Sequence, residues 1–147
     1  MLTGRQEGGF QKVDADSGAV LREYDLKSEL CRESVAGWEL SPDGRLAVCY
    51  TDNLPVLDLE TGKMLYETGA LPWRVWASFS PDGRRLAVPG RDGFVRLWSL
   101  DMHSEVARLP VRGALVRFTA DGHQLVVISP EGELRVLDAS PKAGAAR

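Results

Sequence analysis

The sequence predicts an all-β protein built from repeated small sheets, and two observations carry this prediction. One short segment occurs three times, as GWELSPDGRLAV at 37–48, WASFSPDGRRLAV at 76–88 and LVRFTADGHQLVV at 115–127. The turn aspartates of the three copies, Asp43, Asp82 and Asp121, are 39 residues apart. A period near 40 residues that contains only short strands is typical of repeated β-sheets.

Each copy predicts a β-hairpin around the turn Ser-Pro-Asp-Gly. Proline presets φ for the first turn position, and glycine accepts the left-handed conformation. In the third copy Ala120 replaces the proline, but Asp121 and Gly122 keep the turn. The strands that follow, such as 46–49 and 86–88, are apolar at consecutive positions. This pattern predicts burial on both faces, as expected of a sheet that packs between two neighbouring sheets.

Further strands complete each period. Third strands are predicted at 94–98 and 134–137, and fourth strands at 63–67 and 104–109. Before the first full copy, 9–14 is predicted to be a third strand and 19–24 a fourth strand. The chain is therefore predicted to open in the middle of a sheet.

Four short strands in such a period indicate the blades of a β-propeller. The predicted fold is all-β, an incomplete β-propeller of about three to three and a half four-stranded antiparallel blades. The predicted segments are a partial N-terminal blade of third and fourth strands (1–34), two blades (35–73 and 74–113), a three-stranded C-terminal blade (114–139) and a flexible tail (140–147).

Residues 80–98, SPDGRRLAVPGRDGFVRLW, resemble the WD40-type repeat in its bacterial form, where SPDG and an apolar strand precede DGxVRLW. The resemblance extends over residues 9–138 and implies a propeller that binds proteins. The sequence departs from the family in lacking both the Trp-Asp dipeptide and the Gly-His pair before the first strand. This departure suggests degenerate blades of slightly lower stability and not a different fold.

Composition excludes several classes of function. Apolar residues make up 44% of the chain and charged residues 27%, which is ordinary globular usage. A formal net charge of −3 without a basic cluster argues against nucleic acid as a partner. No stretch is long and apolar enough for a membrane span or a signal peptide. The isolated Cys31 and Cys49 are expected to be reduced, in a cytoplasmic setting.

No motif for catalysis, phosphate binding or metal binding is evident. The segment 14–18 starts like a calcium loop but lacks the bidentate glutamate and flanking helices, so a polar turn is favoured. His103 and His123 have no partner constellation and are interpreted as solvated turn residues. We therefore expect a protein that is not an enzyme and needs no cofactor or metal.

The family resemblance implies a partner-binding rim. Loops that join an outer strand to the next blade, and loops between second and third strands, form that rim in the family. The matching residues are Tyr50, Asp52, Leu71, Pro72, Trp73, Arg74, Arg91, Asp92 and Arg112. Trp and Arg are enriched at interface hot spots. Trp73 is equally compatible with packing inside the rim, whereas Trp38, Trp76 and Trp98 are predicted to pack between blades.

The leading functional prediction is a non-catalytic scaffold that binds other proteins or peptides, within a larger propeller. The alternative is a regulatory or substrate-gating segment of an enzyme whose catalytic domain lies outside this chain. A small-ligand propeller is a third alternative, but the clustered ligands it needs are not evident. An incomplete propeller leaves apolar blade faces uncovered. Either the chain belongs to a longer protein, or copies self-associate, with residues 19–24 of one copy completing the C-terminal blade of another.

Overall fold

A computed structural model describes residues 2–4, 10–24, 37–50, 53–68 and 75–140. Within these ranges the chain forms fourteen strands and no helix. The strands are β1 (Leu2–Gly4), β2 (Phe10–Val13), β3 (Val20–Tyr24), β4 (Trp38–Leu40), β5 (Leu46–Cys49), β6 (Pro55–Asp58), β7 (Met64–Glu67), β8 (Ser78–Phe79), β9 (Arg85–Pro89), β10 (Val95–Ser99), β11 (Ser104–Leu109), β12 (Leu115–Phe118), β13 (Gln124–Ile128) and β14 (Leu134–Asp138). Accordingly, no helix capable of crossing a bilayer occurs in the described ranges.

The strands form four antiparallel sheets, and each sheet contains only strands that are consecutive in the chain. Sheet 1 (β1–β3) belongs to one compact unit, Met1–Val35, and the other three sheets belong to a second unit, Ala36–Arg147. Sheet 2 (β4–β7) and sheet 3 (β8–β11) have four strands, and sheet 4 (β12–β14) has three. The prediction of an all-β protein of small antiparallel sheets is confirmed.

The first hairpin has the same register in sheets 2, 3 and 4. The facing pairs next to the turn are Leu40 with Ala47, Phe79 with Leu86, and Phe118 with Leu125. Each pair is separated by seven residues, so the sequence repeat is also a repeat of strand pairing. The pairing of third and fourth strands repeats as well, because a β-bulge falls at Lys12/Val13, Val56/Leu57 and Leu97/Trp98.

A hydroxyl and a carboxylate hold each first-hairpin turn. In sheet 3 the buried Ser80 hydroxyl donates to Asp82 Oδ1 and accepts from the backbone N–H of Arg85 at 2.9 Å. Gly83 has a φ of +68°, the left-handed conformation that the turn requires. The matching trios are Ser41, Asp43 and Leu46 in sheet 2, and Thr119, Asp121 and Gln124 in sheet 4.

These turn contacts predict a dependence of stability on pH. The Ser41 hydroxyl lowers the pKa of Asp43, and the Thr119 hydroxyl lowers the pKa of Asp121. Partial burial raises the pKa of Asp82, but hydrogen bonds from Ser80 and Arg84 and the nearby arginine charges lower it further, below the ordinary value. Because the folded-state pKa lies below the unfolded one, the stabilisation is present above the unfolded pKa. It is lost as pH falls below about 4.

We therefore expect the free energy of unfolding, measured by urea denaturation, to decrease between about pH 4 and pH 2. A variant with Asp43, Asp82 and Asp121 replaced by Asn should be less stable at neutral pH and should show a shallower acid decrease. An equally steep decrease in both proteins would contradict the assignment.

Two apolar cores lie between consecutive sheets of the second unit. The first, between sheets 2 and 3, includes Val48, Val56, Leu86 and Val88, and the second, between sheets 3 and 4, includes Ala87, Val95, Leu97, Val116, Leu125 and Val127. Strand β9 contributes Leu86 and Val88 to the first core and Ala87 to the second. The predicted burial of this strand on both faces is confirmed.

The innermost strands of sheets 2, 3 and 4 approach one another along one edge of the second unit. Trp76 and Leu115 form a parallel bridge between the segments that start sheets 3 and 4. Arg117 Nη1 lies 2.7 Å from Glu39 Oε1 and 3.2 Å from the carbonyl oxygen of Ala77. An arginine of sheet 4 thus reaches both other innermost strands.

Sheet 1 differs from the sequence-based prediction, which gave it only a third and a fourth strand. Leu2–Gly4 adds a strand, and Leu2 faces Lys12 as Ala87 faces Leu97 in sheet 3. Three residues are too few to show apolar alternation, so this strand depends on backbone hydrogen bonds to β2. The predicted flexible tail lies outside the described residues from position 141 onwards.

Candidate functional site

A cleft of about 250 Å³ opens between sheets 3 and 4 at one edge of the second unit. Three connections form it: the β9–β10 turn at Gly93, the β11–β12 connection at 110–112, and the β13–β14 turn between Ser129 and Glu133. These are the two kinds of loop that the sequence analysis assigned to the binding rim.

The floor of the cleft is apolar and closely packed. Val111 and Val127 line it and are buried. Behind them the backbone of Gly113 approaches the core so closely that a Cβ would lie 3.0 Å from Val127 Cγ1 and 3.2 Å from Val95 Cγ2. Gly93, with a φ of +83°, brings the β9–β10 turn against the aliphatic part of Arg112. The floor is therefore a fixed surface.

Charged side chains of both signs surround the opening. Arg112 Nη1 lies 3.3 Å from Glu131 Oε1, and Arg135 Nη2 lies 3.1 Å from Glu133 Oε1. All four side chains are more than half exposed. A hydrogen bond from the Ser129 hydroxyl lowers the pKa of Glu131, so this carboxylate is charged at neutral pH. Exposed ion pairs contribute at most about 1 kcal/mol, so these groups can exchange one another for a ligand's charges at little cost.

Asp92 lies beside the cleft but is engaged within its own sheet. Its Oδ2 atom is 2.6 Å from Arg96 Nη2 and 3.9 Å from Arg108 Nη1. Glu105 pairs with the same two arginines. The guanidinium of Arg96 crosses the backbone at Gly90, where a Cβ would collide with it. This network fixes the β9–β10 turn that carries Arg91, Asp92 and Gly93.

Tyr50 does not lie on the rim. It is 6% exposed, its hydroxyl donates to the carbonyl oxygen of Ala77 at 3.3 Å, and its ring meets Trp76 edge to face at 5.0 Å. Burial raises the pKa of the phenol. The structure places Tyr50 in the core between sheets 2 and 3, because the side chain at the end of β5 points towards sheet 3.

The other predicted rim residues divide into two groups. Arg91, Asp92 and Arg112 are described, and Arg112 lines the cleft itself. Asp52, Leu71, Pro72, Trp73 and Arg74 lie outside the described residues, so their placement on the rim remains a prediction.

The sequence analysis missed Glu131, Glu133 and Arg135 as rim residues. Glu131 lies 39 residues after Asp92, so the rule that selected Asp92 would have found it in the third repeat. Arg135 was interpreted as ordinary strand alternation, yet its side chain lines the cleft.

The tryptophans predicted to pack between blades differ in exposure. Trp98 packs in the first core and stacks on Tyr66, with ring centroids 5.4 Å apart. Trp76 is 41% exposed. His103 remains an exposed turn residue and has a φ of +51°. In the described part of the chain no three His, Cys, Asp or Glu side chains are grouped so that they could hold a metal ion.

The described residues define an all-β protein of three- and four-stranded antiparallel sheets. No family model matches the sequence, and no curated protein matches it. Many solved structures are similar in fold. One is a chain of hydrazine synthase from Kuenenia stuttgartiensis, with a TM-score of 0.60 and 17% sequence identity over 77% of this chain. The match covers 36% of that chain, and a likeness at this identity shows the fold alone.

Proposed function

We propose that the four sheets are blades of an incomplete WD40-type β-propeller and that the chain is a non-catalytic scaffold that binds peptide segments of other proteins. The repeated registers, the two cores between successive sheets and the approach of the innermost strands support the propeller. A reducing, cytoplasmic setting agrees with the buried, unpaired Cys49.

The cleft between sheets 3 and 4 carries the proposal for binding. Its volume of about 250 Å³ is below the usual range for small-molecule sites. It suits one or two side chains of a bound peptide. The apolar floor would take an apolar side chain, while Arg112 and Glu131 would meet charged groups on either side.

A random peptide library displayed on phage tests this proposal. We expect peptides selected on the wild-type chain to contain an apolar residue flanked by charges. Replacing Arg112 by Ala should weaken their binding by about tenfold, the effect of losing one interface arginine. The substitution should leave stability within about 0.5 kcal/mol, because Arg112 is exposed.

Arg45→Ala is the matched control, because Arg45 is an exposed arginine in the first-hairpin turn of sheet 2. It should bind the selected peptides as the wild type does. Failure to select any peptide, or equal binding by the Arg112 and Arg45 variants, would refute the cleft as the binding site.

A further inference from the structure

Sheet 4 has an apolar face that no described residue of another sheet covers. This open face consists of Val126, Ile128, Leu134 and Val136. Val126 pairs across the strands with Val136, and Ile128 pairs with Leu134, so the four side chains lie on one side of the sheet. Leu134 is 59% exposed and Val136 is 51% exposed.

The repeat shows what such a face packs against. The residues 39 positions earlier, Ala87, Pro89, Val95 and Leu97, form the same cross-strand pairs in sheet 3. Three of them, Ala87, Val95 and Leu97, belong to the core that includes Val116, Leu125 and Val127 of sheet 4. Val95 is 0% exposed and Leu97 is 7% exposed. The open face is thus the next in a series of faces that are each covered by another sheet of the same repeat.

We infer that the open face binds the open face of a second copy of this chain, across a two-fold axis. The series of sheet-on-sheet interfaces then continues from one copy into the other. None of the four residues is charged, so the pairing brings no like charges together. A two-fold interface needs only one self-complementary surface on each copy. Two β-sheet faces with β-branched and leucine side chains pack at about 10 Å, as in other sheet pairs.

This arrangement differs from exchange of the strand at 19–24. Strand β3 already pairs with β2 along its length, from Phe10 with Tyr24 to Val13 with Val20. Donating β3 to another copy would break those hydrogen bonds. Pairing of the open faces breaks none, and it is independent of the proposed peptide cleft, which opens between sheets 3 and 4.

Sedimentation velocity of the full chain over a range of concentrations tests the inference. We expect a wild-type dimer, and we expect Val136→Lys to raise the dimer dissociation constant by at least about tenfold, because a charge would be buried at the interface. Val106→Lys is the matched control, since Val106 is a 47% exposed valine on β11 of sheet 3. It should dimerise as the wild type does. A monomeric wild type, or equal weakening by both substitutions, overturns the inference.

A second measurement keeps the test valid if Val136→Lys fails to fold. In a background with Cys31 replaced by Ser, Leu134→Cys should form a disulfide-linked dimer under mild oxidation, whereas Val106→Cys should not. Absence of the Leu134→Cys dimer in a folded protein, or equal linking by both variants, counts against the two-fold contact.

Discussion

Replacing Leu86 by Ala is expected to lower the free energy of unfolding by about 2–5 kcal/mol, the cost of removing a fully buried leucine from a core. Leu86 is 0% exposed and lies between sheets 2 and 3 with Val48, Val56 and Val88. Its loss leaves a cavity that strands on both sides cannot fill, because each is held in register by its own hairpin. Urea denaturation followed by circular dichroism measures the change.

Val106→Ala is the control for Leu86→Ala, because Val106 is half exposed on the fourth strand of the same sheet. It should change the free energy of unfolding by no more than about 0.5 kcal/mol. If Leu86→Ala were as mild as Val106→Ala, sheets 2 and 3 would not share a core in solution.

Replacing Arg85 by Ala is expected to lower the free energy of unfolding by about 2 kcal/mol, because hydrogen bonds from a charged donor are lost. The Arg85 guanidinium donates to the carbonyl oxygens of Ala139 and Gly122, the second at 2.9 Å, and lies 5.1 Å from the centre of the Phe118 ring. One side chain of sheet 3 thus contacts both ends of sheet 4. Thermal denaturation would show the loss.

The preceding residue gives a matched control for Arg85. Arg84 is exposed in the same turn, and Arg84→Ala removes the same number of atoms and the same charge. It should cost less than about 0.5 kcal/mol. Equal effects of the two substitutions would mean that charge, and not the bonds to sheet 4, determines the contribution of Arg85.

Most of the fold could be predicted from the sequence because one turn recurs with little change. Ser80, Asp82 and Gly83 each have a local physical role, so the hairpin follows from three residues. Burial of β9 on both faces was evident from its consecutive apolar residues. Strand β1 was not predictable, since three residues of backbone pairing produce no side-chain pattern.

The site was only partly predictable, and Tyr50 shows why. In sheet 3 the facing pair Leu86 and Trp98 is separated by twelve residues, but in sheet 2 the pair Ala47 and Leu57 is separated by ten. The turn between second and third strands is therefore two residues shorter in sheet 2. A rim position transferred from sheet 3 lands on the end of a strand, where Tyr50 packs inwards.

The cleft itself depends on side-chain directions that no local pattern reveals. Arg135 alternates along β14 like many solvated strand residues, and only the neighbouring Pro110 and Arg112 make it part of a cleft. Such a site arises from two sheets meeting, so it is visible only when both are in place.

The confinement of every sheet to strands consecutive in sequence also affects how the chain folds. Closing each hairpin brings together residues a few positions apart, so the entropy cost of each step is small. Folding can then advance one sheet at a time along the chain, as in other linear arrays. Sheet 4, with a neighbour on one side only, should open first. Its amides should exchange hydrogen with solvent faster than those of sheet 3.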